Sequence, residues 1–209
     1  MPMPPPEGII KFHQVWEKAP PPMSPLVCQM CFWRNILFQH GLIGATADGI
    51  GYGNVSIRCA PGIRFFITGG GTGGIPELTP EHCTEVVSVD IHRNTLYCRG
   101  PVQASSESLS HAAIYQSSPI TGAVIHAHHS ALWERLCGIV PTTDAAIPYG
   151  TPELAQTLIQ LHRANRLGGQ GLIVMGGHKD GLLSFAPTIE EAASLLLEAM
   201  HSLTESHRS

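Results

Sequence analysis

Val124-Ile125-His126-Ala127-His128-His129, near the middle of the 209-residue chain, decides how the rest is read. It has the composition of a short buried strand. Alternate side chains of a strand share a face, so His126 and His128 point the same way, with Cα atoms roughly 6.5–7 Å apart. Two neutral imidazoles so placed can close on one divalent metal. Two ordinary histidines at a strand end are the competing reading, and the surrounding chain has to choose between them.

Working outward, the strand spans Gly122 to His128 and is flanked by helical patterns: one from Ser105-Ser106-Glu107 to about Ser117, another near Ser130 to Cys137. Upstream, Ser24-Pro25 pairs a capping side chain with proline at the first turn, which predicts a helix to about His40 with Gly41 as its stop. Leu26, Met30, Trp33 and Leu37 would be its buried stripe. Asn54 to Arg58 and Arg64 to Thr68 read as a hairpin, followed by the loop Gly69-Gly70-Gly71-Thr72-Gly73-Gly74. Thr79-Pro80-Glu81 opens a short helix. Glu85 to Ile91 and Thr95 to Cys98 alternate as two strands. Downstream, Thr151-Pro152-Glu153 opens a helix carrying Leu154, Leu158, Leu161 and His162, with His162 read as a surface residue. Leu172 to Met175 and Gly181 to Ala186 are strands, and Thr188-x-x-Glu191 is a capping box for the last helix. Hairpins mixed with helices predict a layered α/β domain with substantial antiparallel sheet rather than βαβ repeats. Before it, residues 1–22 form a Pro-rich tail and an arm with Ile10, Phe12 and Trp16 on one parity. Residues 23–209 form the domain. The arm is apolar enough to pack on its own domain or on a neighbouring subunit.

Hydrophobic residues make up 43% of the chain and charged residues 13%, which excludes long disordered regions. The net charge of −4 and the lack of any Lys/Arg cluster argue against a nucleic-acid surface. No apolar run is long enough to span a membrane. The six cysteines show no framework spacing, and Cys28-x-x-Cys31 falls inside a helical pattern as a pair of helix thiols. A reduced, cytoplasmic setting is expected. Twelve histidines equal the total of Lys plus Arg, which makes a metal site worth seeking.

Gly69-x-Gly71-x-x-Gly74 matches a dinucleotide fingerprint in letters only, because Pro76 and Pro80 interrupt the helix that would have to follow. A turn whose backbone N–H groups and Thr72 hydroxyl face a small anion is the alternative to a plain hairpin tip. Ser105-Ser106 at a helix N-terminus makes a second anion seat, or simply a cap. Glu107 beside them could complement the helix dipole, reach a metal or exchange a proton with a substrate. For a third metal ligand the candidates are His111, His129, His162 and His178. His129 has the wrong strand parity, and the glycines before His178 favour it over His111.

Gly53-Asn54-Val55-Ser56, Thr72-Gly73, Ser105-Ser106-Glu107, His126-Ala127-His128 and His178, in that order, resemble the class II aldolase/adducin family, the family of L-fuculose-1-phosphate aldolase and L-ribulose-5-phosphate 4-epimerase. The likeness runs from about Trp33 to His201. It implies a three-layer α/β/α sandwich with a largely antiparallel sheet, assembled as a homotetramer with sites at subunit interfaces. It further implies zinc, or a similar divalent metal, held by His126, His128 and His178. Glu107 would be the catalytic carboxylate, able to ligate the metal when substrate is absent. Gly53, Asn54, Thr72, Gly73, Ser105 and Ser106 would hold a sugar phosphate, with Thr68-Gly69 as the alternative to Thr72-Gly73. His111 would be structural.

The implied reaction is aldol or retro-aldol cleavage through a metal-stabilised enediolate. Dehydration, as in methylthioribulose-1-phosphate dehydratase, or epimerisation on the same zinc are alternatives, as is a non-catalytic adducin-like binding protein. Two departures stand out. The aldolases carry a catalytic tyrosine on a longer segment after His-x-His, whereas Ser130 to Thr151 is short and its one tyrosine, Tyr149, does not match in position. The third histidine stands in Gly-His-Lys-Asp-Gly rather than before glycine.

Overall fold

In the computed structural model, which describes residues 9–206, the quoted stretch is the strand β8 (Ala123–His128) at the interior of an eight-stranded sheet. The chain reaches it through β1 (His13–Lys18), α1 (Pro25–Gln39), a two-stranded ribbon of β2 (Gly44–Ala45) and β3 (Gly51–Tyr52), then β4 (Asn54–Ala60) and β5 (Arg64–Thr68). A 3-10 turn (Pro80–His82), β6 (Cys83–Asp90), β7 (Thr95–Gly100) and α2 (Ser108–Ser117) follow. After β8 come α3 (Ser130–Leu136), α4 (Pro152–Ala164), β9 (Gly171–Val174), β10 (Gly181–Ala186) and α5 (Ile189–Ser206). The strand order is β1-β7-β6-β5-β4-β8-β10-β9, and every junction is antiparallel except β1 with β7. The expected layered α/β domain with a largely antiparallel sheet is therefore the fold.

Strand parity divides the core in two. Val55, Ile57, Ala123, Ile125, Ala127 and Leu182 pack under α1, α3 and α5. Phe65, Ile67, Val124, Leu183 and Phe185 pack under α2 and α4. Because β8 alternates, His126 falls on the α2–α4 face with Val124. The arm packs on its own domain: β1 pairs along β7 from His13–Thr95 to Lys18–Gly100, and Phe12 is buried in the α2–α4 core. The tail of residues 1–8 lies outside the described residues. Among those described, no helix is long and apolar enough to cross a membrane.

Two expectations are corrected. In α1 the buried line is Val27, Met30, Cys31, Arg34 and Leu37, with Leu26 and Trp33 half-buried, because the helix is turned to bring Arg34 under the glycine loop. His162 is buried rather than on the surface. Its Nε2 donates to the Gly168 carbonyl (2.9 Å) just beyond α4, and its ring packs near Phe185.

His111 is the polar centre of the α2–sheet contact. Its Nδ1 lies 2.6 Å from Ser56 Oγ, which is 2.8 Å from the Tyr115 hydroxyl. Burial pulls the His111 pKa down to about 3, so the ring is neutral in the folded protein. Unfolded chains, with an ordinary histidine pKa near 6.5, take up the proton first as pH falls. Stability that is complete above pH ~6.5 should drain towards pH ~3, by about 1.4 kcal/mol per pH unit inside that window. Urea unfolding of chelator-treated protein at about pH 7 and about pH 5 measures this. His111→Gln should cost stability at neutral pH and flatten the acid dependence; an unchanged pH slope would show that His111 is not its source.

Candidate metal centre

The sheet register assembles the centre. On β8, His126 lies between Asn54 of β4 and Leu183 of β10, and His128 lies opposite Gly181. The turn between β9 and β10, residues 175–180, therefore sits beside the end of β8 and delivers His178 there. The His178 N–H closes the turn on the Met175 carbonyl (3.0 Å), and Gly181 N–H returns to the His178 carbonyl (2.9 Å). The segment before α4 carries the turn: the Gly176 N–H donates to Thr143 Oγ1 (3.0 Å), and a Cβ on Gly177 would stand 2.0 Å from the Ile147 carbonyl oxygen. Position 177 has room only for glycine.

Three imidazoles result, with ring centroids 4.7–4.9 Å apart. Their candidate ligand nitrogens all lie within 4.8 Å of one another. His126 Nδ1 donates to the Leu182 carbonyl (3.1 Å), which leaves Nε2 as the lone-pair nitrogen. It faces His128 Nε2 at 3.1 Å. Two ligand nitrogens on one tetrahedral zinc stand about 3.3 Å apart, so this pair already has the spacing of a shared metal. Three neutral histidines on one side fit a divalent cation with an open position. Glu107 does not belong to this cluster of mutually close ligand atoms.

Glu107 instead lines an adjoining small cavity with Gly51–Asn54, Gly69–Gly73, Ser105 and Ser106. It occupies the N-cap position of α2, but its carboxylate makes no capping bond; Oε2 accepts from Ser110 Oγ (2.6 Å). The side chain is 1% exposed, an expensive place for a carboxylate with only a structural role. Asn54, on the same face as His126, contributes a buried Oδ1 with no protein hydrogen-bond partner. Gly53, Asn54, Thr72, Gly73, Ser105, Ser106 and Glu107 are thus brought together. Thr72 Oγ1 donates to the Gly69 carbonyl (2.8 Å) and holds the loop closed. Thr68 is not in this cavity: its hydroxyl accepts from the Val55 N–H (3.2 Å) within the sheet.

Of the other histidines, His111 binds Ser56, while His129 caps α3 by accepting from the Leu132 N–H (3.2 Å). Sequence reasoning missed Arg34. Its guanidinium, 1% exposed, donates to the carbonyls of Thr72 (2.9 Å), Gly73 (2.6 Å) and Ile75, and so ties the glycine loop to α1. Burial lowers its pKa to about 10, which leaves it cationic at neutral pH. The available signal was an arginine inside an otherwise apolar helix stripe. Tyr149, judged out of place, stacks on His178 with centroids 4.4 Å apart.

The model of the family "Class II Aldolase and Adducin N-terminal domain" matches residues 28–205. Among solved structures, an L-fuculose 1-phosphate aldolase is similar over 90% of this chain and 90% of its own, at 20% identity and a TM-score of 0.64. The L-fuculose-1-phosphate aldolase of Thermus thermophilus is 23% identical over 88% of this chain and 95% of its own, with a TM-score of 0.58. YgbL of Escherichia coli, provisionally described as an aldolase/epimerase/decarboxylase, is 22% identical over 86% of this chain and 85% of its own, with a TM-score of 0.59. No curated protein sequence matches the chain.

If the turn carrying His178 rests on the segment before α4, Gly177→Ala has to push the Ile147 carbonyl away. A loss of about 1–3 kcal/mol in urea unfolding is expected; a neutral substitution would show that the turn does not depend on this contact.

Proposed function

The chain belongs to the class II aldolase and adducin family, and from that premise we propose that it is a divalent-metal lyase acting on a small phosphorylated sugar by retro-aldol cleavage. The observation that carries this reading is the meeting of three histidine nitrogens with an adjoining cavity that holds a buried carboxylate. His126, His128 and His178 hold the metal, zinc or a similar ion, which when bound supplies a Lewis acid for adjacent oxygens of the sugar.

The other roles belong to the chain's own groups. The N-terminal end of α2, with Ser105 and Ser106, seats the phosphate against Gly53, Asn54, Thr72 and Gly73. Arg34 fixes that loop from behind through its carbonyls, so the cavity keeps its shape without a side chain crossing it. Glu107 moves the proton that bond cleavage requires, with the Ser110 hydroxyl orienting its carboxylate. Its absence from the histidine cluster suits a group that transfers protons better than a permanent fourth ligand. The active form is a homotetramer with sites at subunit interfaces, as the family likeness implies.

A second reading is supported by the short segment after β8. Without the aldolases' tyrosine there, the same metal and Glu107 suit removal of water next to a carbonyl, or epimerisation. A non-catalytic, adducin-like role is disfavoured by the complete histidine set and the buried carboxylate.

Protein purified without chelator should contain about one divalent metal per chain, and His126→Ala should lose it. Glu107→Gln should keep the metal and lose turnover by roughly 10²–10⁴-fold on ketose and aldose phosphates. Product analysis separates the reactions: two carbonyl fragments mean cleavage, one dehydrated product means water loss. No turnover of any sugar phosphate would reject both.

A further inference from the structure

The family match begins at residue 28, so the N-terminal arm stands outside it. Yet the arm reaches the centre. Its backbone is fixed on both sides of the contact: the Asn94 side-chain amide donates to the Lys11 carbonyl (2.9 Å), the His13 N–H donates to the Asn94 carbonyl (2.8 Å), and Phe12 is buried in the core. From this anchored point the Lys11 ammonium lies 3.5 Å from the centroid of the Tyr149 ring and donates to the Tyr149 carbonyl at 2.7 Å. Tyr149, 4% exposed, stacks on His178 with planes 23° apart. The next residue, Gly150, is where the carboxylate side of the site comes close: a Cβ there would be 3.7 Å from Glu107 Oε1 and 3.9 Å from Lys11 Cδ.

We propose that the arm is a working part of the metal centre. Lys11 clamps Tyr149, and Tyr149 holds the His178 imidazole in the orientation that binds a divalent cation. Both are positioning residues for the third ligand. The inference rests on the metal reading above. His126 has its ring fixed by the Leu182 carbonyl. His178 is buried just after the Gly176-Gly177 pair, and its ring lies face to face with Tyr149, which restrains the imidazole plane. A cation over the ring holds Tyr149 in place, and the backbone bond adds direction. Neighbours that orient a metal-binding histidine commonly tune its affinity.

The test uses the full-length protein with cobalt(II), its affinity read by competition with a chelating dye and its ligand geometry by the visible spectrum. Tyr149→Leu should weaken binding about tenfold or more and alter the cobalt bands. Tyr149→Phe keeps the ring and should bind within about twofold of wild type. Lys11→Met should weaken binding by about threefold, with Lys11→Arg restoring it. A folded Tyr149→Leu protein with wild-type affinity and spectrum overturns the inference and leaves the metal reading intact. Lys11→Met indistinguishable from wild type removes the arm's part. If Tyr149→Leu does not fold, the comparison of Lys11→Met with Lys11→Arg decides. If the wild-type protein takes up no divalent cation, the metal reading falls and this inference with it.

Discussion

The register of β8 between β4 and β10 is the constraint on which the rest of the structure depends. The strand is hydrogen-bonded on both sides, with His126 opposite Asn54 and Leu183. Its even positions face α2 and α4, and its odd positions, Ala123, Ile125 and Ala127, face α1, α3 and α5. A slip of one residue would exchange the two sets and drive both histidines into an apolar layer, where they would find no partners. The core and the histidine cluster are therefore specified by the same alternation. The cost of misplacing two imidazoles adds to the cost of exposing Ile125, so the site and the fold reinforce each other.

Polar groups on the α2–α4 side follow from that choice. Ser56, two residues from Asn54 and on the same face, engages His111 and Tyr115. This triad fixes the orientation of α2 against the sheet, and hence where Glu107, at the N-cap of α2, stands relative to β8. Arg34 does the equivalent from the opposite layer by gripping the glycine loop through its carbonyls. Each is a buried polar group whose desolvation costs stability unless its bonds are made. Arg34's bonds end on Thr72 and Gly73, which line the cavity between the glycine loop and α2.

The fold was largely legible in the sequence because its signals are local: Ser24-Pro25 and Thr188-x-x-Glu191 mark helix starts, and alternation marks the strands. What was not legible depends on partners distant in the chain. The apolar parity of the arm was visible, but its parallel pairing with β7 was not, since nothing near residue 13 specifies residue 95. His162 looked like a surface residue because its heptad-like neighbours fill the helix stripe, and the Gly168 carbonyl that satisfies it belongs to the following turn. Arg34 was hidden by the same limitation: periodicity records that it interrupts a stripe, but the carbonyls it binds lie in a loop 38 to 42 residues away. At the site, the shared face of His126 and His128 followed from strand spacing, but reading them as metal ligands needed the surrounding chain. The placement of His178 needed the β9–β10 turn, for which Gly176 and Gly177 were only a hint.

The segment from Ser130 to Thr151 links these points. In the aldolases, as the resemblance has it, this part of the chain is longer and lends a tyrosine to a neighbouring site. Here it is spent within its own chain. Thr143 and Ile147 pack against the turn that carries His178, Tyr149 stacks on that histidine, and Gly150 lies against Glu107. Its one tyrosine is thus engaged at its own chain's histidine. On the retro-aldol reading, the group that takes the hydroxyl proton of the departing half has to be another one. Removing water takes a proton from the carbon next to the carbonyl and gives one to the departing hydroxide, which one carboxylate can do in turn. Expelling an aldehyde takes the proton of its hydroxyl on the far side of the breaking bond and returns one to the enediolate carbon, which asks for a second group. The short segment thus bears on the choice of reaction more directly than the histidines do, because every reaction considered uses the same metal.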